Sequence, residues 1–221
     1  MFGFPMQVDL DDGRIVLMRP MLEEEMRAVS TQISRYEICK HLSLRGAQSP
    51  EQELSWLKSK YTEPSSIGWG VALAEEPGDV IGRLIGSSGI EGIANHRGES
   101  GVVLWDSTVW GSGIATAIHS ARCWYAVNCH HLIAMDSGAD QANVGSIRAL
   151  KRVGYAQTGI DYNRGYANGK ICHGVKLLWV NPVEHVWNYF WADSKVPKQF
   201  LEGRKRGLAA LEWANEHVTL L

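Results

Sequence analysis

The chain lacks most features that would mark a special class of protein. Its 221 residues hold four cysteines, Cys39, Cys123, Cys129 and Cys172, and no two form a C-x-x-C pair. That excludes a disulfide scaffold and fits a reducing compartment. The spacing of His119, Cys123, Cys129, His130 and His131 matches no recognised zinc site, so no metal is expected. Glycine and proline together make up about 14% of the residues, too little for a low-complexity or collagen-like chain. Neither sign of charge prevails: 22 Lys and Arg stand against 24 Asp and Glu, a net charge of −2. No global basic field therefore favours nucleic acid or an anionic membrane surface. No apolar run approaches the ~20 residues of a membrane span. The opening MFGFPMQVDLDDGR lacks the basic and apolar regions of a secretory signal. The expectation is a soluble, cytoplasmic protein without repeats.

What is present is an ordinary globular composition, 45% hydrophobic and 21% charged, in a length that suits one domain plus an extension. Residues 14–19 (RIVLMR) read as a strand stopped by Pro20. Leu22, Met26, Val29, Ile33 and Tyr36 recur at helical spacing. Ser49-Pro50-Glu51-Gln52 announces a second helix, with an N-cap serine, proline at the first position and a capping-box glutamine. Residues 67–75 and 79–88 read as strands across the Glu76-Pro77-Gly78 turn, 89–98 as a loop, and 101–106 (GVVLWD) as another strand. A helix over 113–128, a strand over 131–136 and a helix over 143–153 follow. Residues 155–162 and 171–180 form a hairpin around an Asn163–Lys170 turn region. Trp105, Trp110, Trp124 and Trp179 fall in these elements and read as packing. Residues 181–221 read as two amphipathic helices packed on the main body.

The chemistry concentrates between Gly101 and Tyr155. The strand GVVLWD leads into Trp110-Gly111-Ser112-Gly113-Ile114-Ala115-Thr116, which opens a helix. Small residues let a ligand approach the backbone, and free N–H groups at a helix start hold anions such as pyrophosphate. This is neither a G-x-G-x-x-G dinucleotide fingerprint nor a P-loop, because no Gly-Lys-Ser/Thr follows. A plain strand-to-helix turn remains an alternative. After the next strand come Asn143, Ser146, Gly154 and Tyr155.

Together these stretches resemble the GNAT N-acetyltransferase superfamily, and within it the branch of ribosomal-protein N-terminal acetyltransferases. That branch has W-G-x-G-x-A, matched from Trp110 to Ala115, and a later N-x-x-S followed by a helix and G-F/Y, matched by Asn143, Ser146, Gly154 and Tyr155. The resemblance covers about residues 13–180. It implies an α/β fold with a mixed, mostly antiparallel, seven-stranded central sheet, splayed fourth and fifth strands, flanking helices and a helical C-terminal extension. Residues 1–180 would be the acetyltransferase domain, with 181–221 packed on it.

The resemblance also implies acetyl-CoA as co-substrate. Backbone groups of Val102, Val103 and Leu104 would meet the pantetheine arm. Those of Trp110, Gly111, Ser112, Gly113, Ile114, Ala115 and Thr116 would cradle the pyrophosphate. Asn143 would hold the pantetheine or pyrophosphate region, with a plain helix N-cap as the alternative. Many superfamily members place a tyrosine seven residues after this asparagine to protonate the leaving thiolate, but here that residue is Leu150. The branch instead proposes the serine three residues on, which is Ser146. The branch's general base falls on Ser100, one residue from Glu99, and a shift of one residue changes the face of a strand. Glu99 is the candidate base, with Asp106, Glu91 and a relayed water left open.

The implied reaction is transfer of an acetyl group to a primary amine, on a protein N-terminus or a small molecule. A non-catalytic acyl-CoA-binding module is the alternative. Trp56, Trp69, Trp187 and Trp191 are candidates for a substrate groove. The basic cluster Lys195–Arg206 sits in an extension with five basic and five acidic residues, which gives nucleic acid little support. A homodimer stays open.

Overall fold

The first half of the chain comprises β1 (Met6–Asp9), β2 (Ile15–Arg19), α1 (Met26–Ile33), α2 (Tyr36–Cys39), α3 (Pro50–Thr62), β3 (Ile67–Leu73), β4 (Arg83–Ala94) and β5 (Arg97–Leu104). The second half comprises α4 (Ile114–Asn128), β6 (Ala134–Asp140), α5 (Val144–Arg152), β7 (Ala156–Ala167), β8 (Lys170–Val180), α6 (Glu184–Trp191), α7 (Lys198–His217) and β9 (Val218–Leu220). The structure is a computed structural model that describes residues 1–42, 46–167 and 169–221. All nine strands join one sheet, ordered β7-β8-β6-β5-β4-β3-β2-β1-β9. Every pairing is antiparallel except β5 with β6. Among the described residues no helix is long and apolar enough to cross a membrane.

Two strands exceed the seven expected. β1 and β9 have four and three residues, too few to show a periodicity, and they pair with each other. The loop expected over 89–98 is instead the end of β4, a two-residue turn and the start of β5. Ala94 pairs with Arg97, and Asn95 and His96 between them both take positive φ, as a tight hairpin requires. Glycines of the two strands serve close strand contact. A Cβ on Gly98 would lie 2.7 Å from the Ile90 side chain, and one on Gly86 would lie 2.4 Å from the Val103 carbonyl oxygen. β6 begins three residues later than expected, after His131 in left-handed conformation. The β7–β8 hairpin is longer than read, and residue 168 of its turn lies outside the described residues. The first helix also starts late, after a 3-10 turn over Glu23–Glu25.

The sheet's two faces are covered differently. On one face, α4 packs Ile114, Ile118 and Ala121 against Val16, Val71 and Ile85. Leu150 of α5, Val153 just after it, and Ala210 and Leu211 of α7 gather over Tyr155, Leu177 and Trp179. On the other face, Met26 and Val29 of α1, Ile38 of α2 and Leu57 of α3 gather over Met21, Leu84, Val103 and Trp105. Ser49 caps α3 as its sequence announces, with Gln52 returning the bond. Trp187, Phe190, Trp191 and Phe200 form a separate cluster away from the cleft, so two of the proposed groove tryptophans are packing residues.

Candidate active site

β5 and β6 run parallel only through Arg97–Glu99 and Ala134–Asp136, and then part. Hydroxyls tie the fork at its base. Ser137 Oγ donates to the Ser100 carbonyl at 2.8 Å, and Ser100 Oγ lies 2.6 Å from the hydroxyl of Tyr155. Burial pushes the Tyr155 phenol up to about 12, which makes it a structural hydroxyl at neutral pH. Beyond the fork, the edges of Gly101–Leu104 and Gly138–Asp140 face each other without a shared ladder. They border a cleft of about 990 Å³.

The cleft's α4 end is built by two glycines. Gly111 and Gly113 take φ of +76° and +91°, and a Cβ on either would meet no atom within 4 Å. The N–H groups of Gly111, Gly113, Ile114 and Ala115 have no backbone acceptor among the described residues. Those of Ser112 and Thr116 are bonded, to the carbonyls of Val109 and Gly113. Arg14 donates to the Ser112 carbonyl at 2.9 Å and braces the turn. The free N–H groups and the open space in front of them suit an anion, and the residues present fit a pyrophosphate. Arg148 and Arg152, one turn apart on α5, also line the cleft. Sequence reasoning missed both, although their i, i+4 spacing beside the Asn143 cap was a usable signal.

Trp110 is 47% exposed and not part of the core, contrary to its reading as packing. Its indole N–H donates to the Leu104 carbonyl at 3.0 Å, so that carbonyl already has a partner. Val102 and Leu104 face α4, whereas Val103 faces α1–α3. Ile114 is wholly buried and offers only its backbone. Asn143 caps α5, its Oδ1 accepting from Ser146 N–H at 3.1 Å, while its Nδ2 keeps donor capacity. Ser146 lines the cleft, and among the described residues its hydroxyl has no hydrogen-bond partner. Leu150, at the usual tyrosine position, is core.

Register settles which face each acid takes. Ser100 is buried toward Tyr155, so Glu99 points the other way, into the cleft on the α1–α3 side. Glu91 lies directly across from it but is paired with Lys60. Asp106 accepts from Thr108 and Arg83. Burial works against it, yet these bonds hold its carboxyl at about 2. It is a poor base and does not line the cleft.

Beneath the fork lies a buried guanidinium. Arg122 of α4 donates to the Gly101 carbonyl at 2.8 Å and to Ser88 Oγ at 3.0 Å, and Nη2 lies 2.7 Å from His119 Nδ1. An arginine cannot accept, so His119 Nδ1 carries no proton. Burial and the adjacent cation push its pKa well below 6.5. Cys123 is core, its thiol pushed up to about 12 by burial. Among the described residues no three His, Cys, Asp or Glu side chains gather as a metal site.

Comparison with known proteins agrees with this geometry. The family model described as "Acetyltransferase (GNAT) domain" matches residues 15–156. A Bacillus subtilis (strain 168) relative, the uncharacterized N-acetyltransferase YoaA, is 24% identical over 165 residues, covering 72% of this chain and 89% of that protein. Among solved structures, Mycobacterium smegmatis RimJ in complex with CoA-disulfide superposes with a TM-score of 0.67 at 15% identity, covering 98% of this chain and 95% of that one. Vibrio cholerae spermidine N-acetyltransferase in complex with CoA and spermine gives 0.65 at 15% identity, covering 75% and 95%. At such identities the structural likeness speaks for the fold.

Proposed function

Because this chain belongs to the GNAT acetyltransferase family and is an acetyl-CoA-dependent N-acetyltransferase, we propose that it passes the acetyl group directly to a small primary amine bound on the α1–α3 face. The observation that carries this reading is the single cleft, which joins the anion cradle before α4 to Glu99 on the opposite face through the gap between β5 and β6.

In this reading the N–H groups of Gly111, Gly113, Ile114 and Ala115 hold the pyrophosphate, and the open strand edges hold the pantetheine arm. Asn143 Nδ2 is a further donor toward it. An alkyl amine with a pKa near 10.4 arrives as an ammonium, so it must lose a proton before it attacks. Glu99 accepts that proton, directly or through water. As the amine nitrogen bonds to the thioester carbonyl, the carbon–sulfur bond breaks, the departing thiolate takes a hydrogen bond from Ser146, and the second proton shed by the nitrogen ends on that sulfur as the coenzyme thiol. The acceptor named for the Vibrio cholerae enzyme, spermidine, supports a small amine.

Thiol released from acetyl-CoA, read across a panel of amines, tests the reading. The expected result is amine-dependent release with an N-acetylated product by mass spectrometry. Coenzyme binding without any amine-dependent release would overturn it.

A further inference from the structure

On the α1–α3 side, the sheet face is charged where β4, β5, β6 and β8 adjoin. Glu91 pairs with Glu99 and Glu99 with Asp136, while Gly138 and Asp140 continue the row along β6 opposite Lys176 and Gly174. Alternation puts all of them on one face. Most charges there are matched: Lys60 with Glu91, Arg97 with Asp136 at 3.2 Å, and Lys176 with Asp161 at 3.9 Å. Among the described residues three remain without an ion pair, Asp140, Glu99 and Arg164; Asp140 accepts from the Ala142 N–H at 2.7 Å, which leaves the carboxylate of Glu99 and the guanidinium of Arg164 with neither an ion pair nor a side-chain hydrogen bond.

The position of Arg164 is built by its surroundings. β7 places residues 162–164 opposite the single residue His173. Within this bulge Asn163 takes φ +56°, and its N–H donates to His173 Nδ1 at 3.1 Å. Arg164 then lies back across the sheet over two glycines. A Cβ on Gly174 would fall 2.6 Å from Arg164 Cδ, and one on Gly138 would fall 2.6 Å from Nη1. The side chain thus lines the same cleft as Glu99, beside the open edge of β6. A guanidinium in a trough cleared by two glycines, with no protein carboxylate on its fork, suits a planar anion.

We propose that the amine acceptor also carries a carboxylate, as an amino acid does, and that Arg164 binds this carboxylate while Glu99 faces the amine. The inference rests on the acceptor side assigned above. Strand spacing puts Gly138 roughly 8 Å from Glu99, a span one small zwitterion can bridge.

The test uses matched pairs that differ only by the carboxylate, lysine with cadaverine and tyrosine with tyramine. Their binding is measured calorimetrically on the full chain saturated with coenzyme A. At least one amino acid is expected to bind about 10–100-fold more tightly than its decarboxylated partner. Arg164→Gln should erase that ratio, and Gly138→Ala, which displaces the guanidinium, should reduce it, each with an unchanged thermal midpoint. Equal or tighter binding of the decarboxylated amines, no binding of either amino acid, or a ratio that survives Arg164→Gln would overturn the proposal. Thiol release is scored separately. Acetylation of the decarboxylated amines alone sinks the carboxylate and leaves transfer standing. An Arg164-dependent preference without thiol release sinks transfer instead.

Discussion

Gly113 shows how much of the site depends on one missing side chain. Its φ of +91° costs an L-residue about 1–2 kcal/mol. A Cβ there meets no protein atom, so Gly113→Leu should fold with a modestly lowered midpoint. Its side chain would project into the cradle, and coenzyme binding by calorimetry should be lost. Retained affinity would remove the cradle assignment. Ser146 and Glu99 separate by what each variant leaves intact. Ser146→Ala removes a hydroxyl but keeps the N–H that Asn143 caps, so coenzyme affinity should hold while turnover falls about 10–100-fold. Glu99→Gln should lower turnover by about 10²-fold or more near neutral pH, again without loss of coenzyme affinity. A rate unchanged by either substitution would return that residue to the surface. The glycine turn is legible in the sequence because its conformational demand is local. Arg164 is not, because its place depends on a bulge in β7 and on glycines of two other strands.

Among the elements, α7 rests on the turn after α5 through backbone. A Cβ on Gly203 would lie 2.6 Å from the Gly154 carbonyl oxygen. Helix propensity alone says that Gly203→Ala should stabilise by about 1 kcal/mol. The contact says the opposite, since a backbone oxygen cannot rotate away, and overpacking of this kind costs about 1–3 kcal/mol. Urea unfolding should therefore show net destabilisation; a gain would mean that α7 slides freely on Gly154. The same contact explains what the sequence could and could not reveal. The helices α3, α4 and α5 are readable because caps and apolar spacing are written within each: Ser49 with Gln52, Gly113 before Ile114, Asn143 before Val144. β1 escapes because four residues are too few to show a period, and β9 because its three residues pair with a strand some two hundred positions away. The lower half of β4 escapes for a different reason. Residues 89–98 read as a loop until the neighbouring strand is in place.

Across the whole molecule, the sheet is pinned to α4 by a cation that has no carboxylate partner. Arg122 is fully buried and depends on neutral acceptors, His119 among them. Protonating His119 in the folded state would put two cations side by side in the core. Burial first, and Arg122 second, therefore hold its pKa well below 6.5. His41 and His130 shift the same way, each through burial first. In the unfolded chain these imidazoles titrate near 6.5. Below that pH the unfolded state binds protons that the folded state refuses, so stability is full above about 6.5 and falls as pH drops. The slope is up to about 1.4 kcal/mol per pH unit for each histidine fully affected. Asp106 adds a loss of the same sign, but with its folded pKa at about 2 its window opens only below its unfolded value of 3.8. Urea titrations between pH 8 and 5 should show falling stability below pH 6.5. His119→Gln, which preserves an acceptor for Arg122, should flatten that fall while lowering stability at pH 7.5. An identical slope in the variant would show that His119 takes its proton in the folded state, and that Arg122 does not keep it neutral.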